Sequence, residues 1–160
     1  MSRDGPRPAE PPTAGSFADL YRDAYGDMVR LAYLLTGSRE VARDVVQDAF
    51  VRMHGAFDRA RDPHAYLRRV VVNECHSYHR RRLRQRHHLR SLRLEVVDLN
   101  ADEVSDVLAT LPYRQRAAIV LRYWHGANEA EIATLLRCRP GTVGSLLHRA
   151  IAELRKVIEP

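Results

Sequence analysis

Arg69, Asn73, His76 and Arg80 are spaced by three and four residues, so on a helix turning 100° per residue they share one side. An asparagine amide between guanidiniums offers hydrogen bonds to a base edge while the arginines hold the flanking phosphates. The same four residues also read as a solvated arginine-rich face. Thr142, Ser145, His148 and Arg149 form a second set on the outward arc of the last apolar-periodic segment, with Gly144 among them. Small hydroxyls near phosphates and an arginine within reach of guanine suit a major groove. A short helix packed only for stability is the plainer alternative. Asp44, Gln47 and Asp48 make a third set at i, i+3 and i+4. They read as an ordinary exposed acidic patch or as a seat for an arginine-rich protein partner.

Other chemistry finds little support. Cys75, His76 and His79 lie within about one turn, but Cys75 and His76 diverge by about 100° and no second ligand pair follows, so no metal is expected. No Ser/His/Asp or Cys/His constellation and no glycine-rich phosphate loop is present, so neither catalysis nor a cofactor is expected.

The elements that must carry these sets are helices. Phe17, Leu20, Tyr21, Ala24, Met28, Leu31, Ala32 and Leu35 recur at helical spacing behind a Ser16 cap and before Gly37. Ser38 caps a second stripe of Ala42, Val45, Val46, Ala49, Phe50 and Met53, which breaks near Gly55 and Asp58. Asp62-Pro63 opens a third helix through Leu67, Val70, Val71, Cys75 and Tyr78 into a run of arginines. Glu74 falls inside that apolar stripe and is predicted to pair with an arginine of a neighbouring helix. Asn100 and Glu103 resemble a capping box for a helix with Val104, Val107, Leu108 and Leu111, ended by Pro112. The next carries Ala117, Val120, Leu121 and Trp124 and stops at Gly126. Asn128 and Glu131 form another box, ahead of Ile132, Ala133, Leu135 and Leu136. After Arg137-Cys138-Arg139, Pro140 starts a last helix with Val143, Leu147, Ala150, Ile151 and Leu154 inward, the outline of a helix-turn-helix.

Composition fits that picture. The 160 residues carry 26 basic against 20 acidic side chains, a formal charge of +6, and every basic residue except Lys156 is arginine. Such a balance points to a polyanionic partner. The charge is uneven: Arg68 to Arg93 holds nine arginines and one acid, whereas Leu94 to Leu111 holds five acids and no base. With 45% apolar residues the chain can bury a core, and two cysteines outside any paired motif suggest a reducing compartment. The start MSRDGPRPAEPPTAG lacks the apolar run of a secretory signal, and no later stretch is apolar enough to span a membrane. The expected architecture is all-α: a disordered tail at 1–15, a helical domain at 16–83, a flexible charged linker at 84–99 and a second helical domain at 100–160. A cytoplasmic, nucleoid-associated protein without membrane insertion is expected.

The runs LAYLLTGSREVARDVVQDAFVRM, DPHAYLRRVVVNECHSYHRRR and LPYRQRAAIVLRYWHGANEAEIATLLRCRPGTVGSLLHRAIAELRK together resemble an extracytoplasmic-function (ECF) sigma factor of bacterial RNA polymerase, of actinobacterial type, from Phe17 to Val157. The resemblance implies a sigma factor that binds core polymerase and directs promoter recognition, strand opening and transcription initiation. It implies a polymerase-clamp contact at Asp44, Gln47 and Asp48. The melted non-template strand would meet Asn73, with Tyr66, Arg69, His76 and Arg80 around it. The second domain would read the distal promoter element as duplex, and an anti-sigma protein is a further candidate partner.

Two departures from the family pattern stand out. Arg137 and Arg139 occupy a turn that usually holds a glycine and a serine-like cap, and Gly144 and Leu146 stand where lysine and arginine are more common. Duplex readout is therefore expected to be altered or weaker, with phosphate contacts moved to Arg137 and Arg139. The alternatives are a sigma-like adaptor with weakened duplex recognition and a stand-alone helix-turn-helix regulator.

Overall fold

The computed structural model describes residues 15–88 and 103–159; all but the last residue of the predicted tail, the Asn100 cap and most of the predicted linker lie outside them. Among the described residues there are seven α-helices and no strand. The first three helices begin where local side-chain chemistry places them. Ser16 and Asp19 cap α1 (Phe17–Thr36) reciprocally, at 3.2 and 3.0 Å, and Gly37 ends it with φ 74°. Only glycine takes that left-handed conformation without steric cost. Ser38 caps α2 (Arg39–Ala56), and Asp62 accepts from the Ala65 N–H at the head of α3 (Pro63–His88).

α1, α2 and α3 close one core around Leu31, Leu35, Val46, Met53, Leu67, Val71 and Cys75, all fully buried. Glu74 pairs with Arg52 of α2 at 2.6 Å, as its place in the apolar stripe requires. The third helix runs to His88, into the stretch expected to be linker. Arginine is a good helix former, and an exposed turn needs no apolar stripe to continue, so periodicity alone misplaced that boundary.

The second unit contains α4 (Glu103–Ala109), α5 (Tyr113–Ile119), α6 (Glu129–Leu136) and α7 (Pro140–Ile158). Leu108, Leu111, Ala117, Leu121, Ile132, Val143 and Ala150 form its interior. After α5 the backbone widens into a π-helical turn, Val120–Trp124, closed by the His125 N–H on the Val120 carbonyl at 3.2 Å. The wider turn shifts the helical phase. Trp124, expected to point inward, is 54% exposed and lies against Arg30 of α1, 5.0 Å from ring to guanidinium. Val104 is likewise exposed.

The two units dock against each other. The last carbonyls of a helix lack intrahelical donors and carry the negative end of its dipole, so a cation there is favourable. Leu35 O, in the last turn of α1, accepts from Arg116 Nη1 at 2.8 Å and from His79 Nε2 at 2.6 Å. Arg116 Nη2 bonds the carbonyls of Ala109 and Leu111, so one nearly buried guanidinium ties α1 to the α4–α5 connection. Tyr113 Oη donates to Val72 O of α3 at 3.0 Å.

Candidate nucleic-acid interface

Tyr66, Arg69, Asn73, His76 and Arg80 all sit on α3. Arg69, His76 and Arg80 are exposed, while Tyr66 and Asn73 are half-buried. Arg69 stacks over the Tyr66 ring at 5.4 Å, and neither it nor Arg80 has an acidic partner among the described residues. The Asn73 amide makes no hydrogen bond to any described residue, so its donors and acceptor are unspent. An aromatic ring, an unspent amide and unpaired guanidiniums on successive turns are what a single strand needs: stacking, base-edge bonds and phosphate neutralisation.

The start of this face borders a cleft of about 560 Å³ whose other wall is α6. Arg59, Arg61, Arg68 and Arg69 line it with Tyr66, opposite Glu131 and Leu135. Further along, His76 lies parallel to Tyr113 at 5.2 Å with 1° between the rings. Sequence reasoning missed Tyr113, Arg116 and His79 as a group. The one available signal was Arg116 beside Ala117, on the buried side of its helix.

Three histidines near the docking seam have proton affinities below the ordinary 6.5. Burial is the main cause for each. Arg80, Arg114 and Arg137 add to it at His76; Arg116, Arg82 and His76 add to it at His79, against the opposing Leu35 bond; Arg68 adds to it at His125, against the opposing charge of Asp27. Each binds its proton less tightly when docked than when solvated, so acid favours separation. Docking is expected to be strongest above about pH 6.5 and to weaken as pH falls below it. Hydrogen exchange along α5, followed between pH 7.5 and 5, checks this; protection that rises with acid contradicts it.

In the C-terminal unit, α6, a tight turn and α7 form the helix-turn-helix. Asn128 and Glu131 cap α6 reciprocally at 2.9 and 2.8 Å. Arg137 ends it in the left-handed conformation, φ 52°, where glycine is the usual occupant. That costs on the order of 1 kcal/mol. Arg139 is the N-cap of α7, with Pro140 in the first turn. Arg137, Arg139, Thr142, Ser145, His148 and Arg149 are all exposed. Ser145 Oγ points back to the Gly141 carbonyl at 3.4 Å. A Cβ at Gly144 would meet nothing within 4 Å, so the missing basic side chain is a lost contact and not a steric demand. Leu146 packs against the core.

Asp44, Gln47 and Asp48 are exposed on α2, away from all this, with Gln47 Nε2 donating to Tyr21 Oη at 3.3 Å.

An all-helical pair of units, one with a strand-suited basic face and one with a helix-turn-helix, defines a two-domain DNA-binding protein. The Sigma-70 region 2 profile matches residues 20–85 and the Sigma-70, region 4 profile matches residues 101–154. The chain is 33% identical to the RNA polymerase sigma-E factor of Streptomyces avermitilis over 152 residues, covering 89% of this chain and 85% of that one. It is also 33% identical to the ECF RNA polymerase sigma factor SigM of Mycobacterium tuberculosis over 155 residues, covering 89% and 77%. Among solved structures, CnrH in complex with the cytosolic domain of CnrY matches with TM-score 0.66 and 26% identity, covering 89% of this chain and 87% of that one. The Bartonella quintana sigma factor RpoE, solved with the anti-sigma factor NepR, matches in fold with TM-score 0.74 and 22% identity, covering 89% and 96%. The chain belongs to the sigma-70 family of RNA polymerase sigma factors, in its extracytoplasmic-function branch.

Proposed function

We propose that each exposed face has one task in transcription initiation. The α2 face of Asp44, Gln47 and Asp48 seats on a basic surface of core polymerase. The α3 face of Tyr66, Arg69, Asn73, His76 and Arg80 engages the unpaired promoter strand. The turn and head of α7 hold the distal element as duplex. No catalytic residue is needed, because the polymerase does the chemistry. The observation that carries this reading is the unspent Asn73 amide between exposed arginines, on the unit matched by the region 2 profile.

Extruding a base costs a few kcal/mol, which contacts to it must offset. Asn73→Ala is expected to reduce promoter opening about tenfold or more, since about 1.4 kcal/mol of lost base contact is one decade. Permanganate reactivity of thymines near the start site reads it. Opening that is unchanged, with core binding intact, removes Asn73 from the strand contact.

Duplex readout rests on fewer contacts than in a lysine-rich recognition helix. Arg137→Gly is expected to raise the melting temperature, by relieving the left-handed strain, while lowering the salt slope of holoenzyme binding to promoter duplex by about one. Thermal melts and filter binding at several salt concentrations check the two halves. Footprints lost on Ser145 or Arg149 substitution but indifferent to Arg137 and Arg139 would contradict this placing of the phosphate contacts. The unfilled position at Gly144 favours a second reading, an adaptor that relies on polymerase and the melted strand more than on the distal duplex.

An anti-sigma protein is a proposed further partner, since a sigma factor of the same fold was solved with one.

A further inference from the structure

Arg137 is the one non-glycine residue with a left-handed backbone among the described residues, and it stands in the turn of the helix-turn-helix. A side chain is costly there, and such strain persists only where neighbouring groups over-determine it. The carbonyls at the end of α6 supply that restraint. A helix leaves its last four carbonyls without intrahelical donors. Ala133 O takes the Cys138 N–H at 2.9 Å and Thr134 O takes the Arg137 N–H at 3.3 Å, the bond pair of a Schellman turn. For Leu136 O the residue four positions on is Pro140, which has no N–H to give. Its donor is Arg114 of α5, whose Nη2 lies 3.0 Å away.

Leu136 O and the Arg137 N–H belong to one planar peptide unit. With the N–H on Thr134 O and the carbonyl on Arg114, that plane is held at both ends, and φ of Arg137 is a rotation measured from it. A cation at this place also meets the negative end of the α6 dipole. The Arg137 guanidinium is exposed and makes no ion pair among the described residues. We propose that Arg114 is the positioning residue of the duplex contact: its bond to Leu136 O keeps Arg137 left-handed and so directs the Arg137 guanidinium to the phosphates beside the head of α7. A glycine would make the turn without a clasp but would bring no cation.

The proposal rests on the reading of this turn as a phosphate contact, and its test separates the two. Holoenzyme carrying the native chain, Arg114→Ala, Arg137→Gly or both is bound to promoter duplex at several salt concentrations, with a thermal melt of each full chain. Arg114→Ala is expected to weaken binding about threefold or more and to lower the salt slope by about one, the loss of one phosphate contact. In the Arg137→Gly background the same substitution should change neither affinity nor slope, and should lower the melting temperature less than it does in the native chain. An equal further loss of slope in that background would make Arg114 a phosphate contact in its own right and overturns the proposal. A melting temperature that falls while affinity and slope hold leaves Arg114 a purely structural clasp and also overturns it. An unchanged slope in Arg137→Gly alone removes the phosphate reading of the turn, and the proposal with it.

Discussion

Replacing Asp48 by arginine is expected to cut affinity for core polymerase about 100-fold or more while leaving the fold intact. Asp48 is exposed on α2 one turn from Asp44, and no described cation pairs with either. Their charge is therefore available to a basic partner. Reversing one charge removes an attraction and adds a like-charge contact, which costs several kcal/mol at an interface. At about 1.4 kcal/mol per decade, two decades of affinity is a conservative expectation. Stability should change by less than about 0.5 kcal/mol, because the substitution is at the surface and breaks no cap or core contact. Titration of labelled protein with core polymerase, alongside a thermal melt, reads both quantities. Unchanged affinity removes the α2 face from the polymerase contact.

Leu31→Ala is the substitution expected to damage the fold most. Leu31 has no exposed surface and belongs to the cluster with Leu35, Val46, Met53, Leu67 and Val71. Removing its isobutyl group leaves a cavity, which costs about 2–5 kcal/mol depending on how far the surroundings relax. That is a large share of the roughly 5–15 kcal/mol that holds a domain together. At about 2–4 °C per kcal/mol for a chain of this size, the melting temperature should drop by about 5 °C or more. A drop under about 2 °C would mean that region 2 is not closed around this residue.

How much was readable in advance depends on how local the physics is. The caps at Ser16, Ser38 and Asn128 were legible because each bonds a backbone N–H three residues on. Glu74 was legible as a carboxylate needing a partner, and the outward position of the three polar sets followed from helical phase alone. The docking of the two units was not legible. It depends on Leu35 meeting Arg116 and on Val72 meeting Tyr113, pairs separated by 81 and 41 positions, through backbone carbonyls that carry no side-chain signature. Trp124 was misplaced because a π-helical turn breaks the 3.6-residue phase that the reading assumed. The end of α3 was misplaced because arginine can continue a helix where no core asks for one.

The charge distribution gains a location from the structure. The arginine-rich stretch follows α3 past Asn73, and its first members, Arg68 and Arg69, face the cleft against α6 together with Arg59 and Arg61. The head of the recognition helix, by contrast, presents Arg149 on its exposed arc, and its other exposed cations, Arg155 and Lys156, lie in its last turn. Promoter choice by this chain is accordingly expected to lean on the melted element.

The most direct test of the central claim is run-off transcription from genomic fragments by core polymerase with and without this chain. Discrete transcripts that require the chain, and that disappear with Asp48→Arg and with Asn73→Ala, are the predicted result. Sequence-specific binding to the same fragments without core, and no chain-dependent transcript, would contradict it.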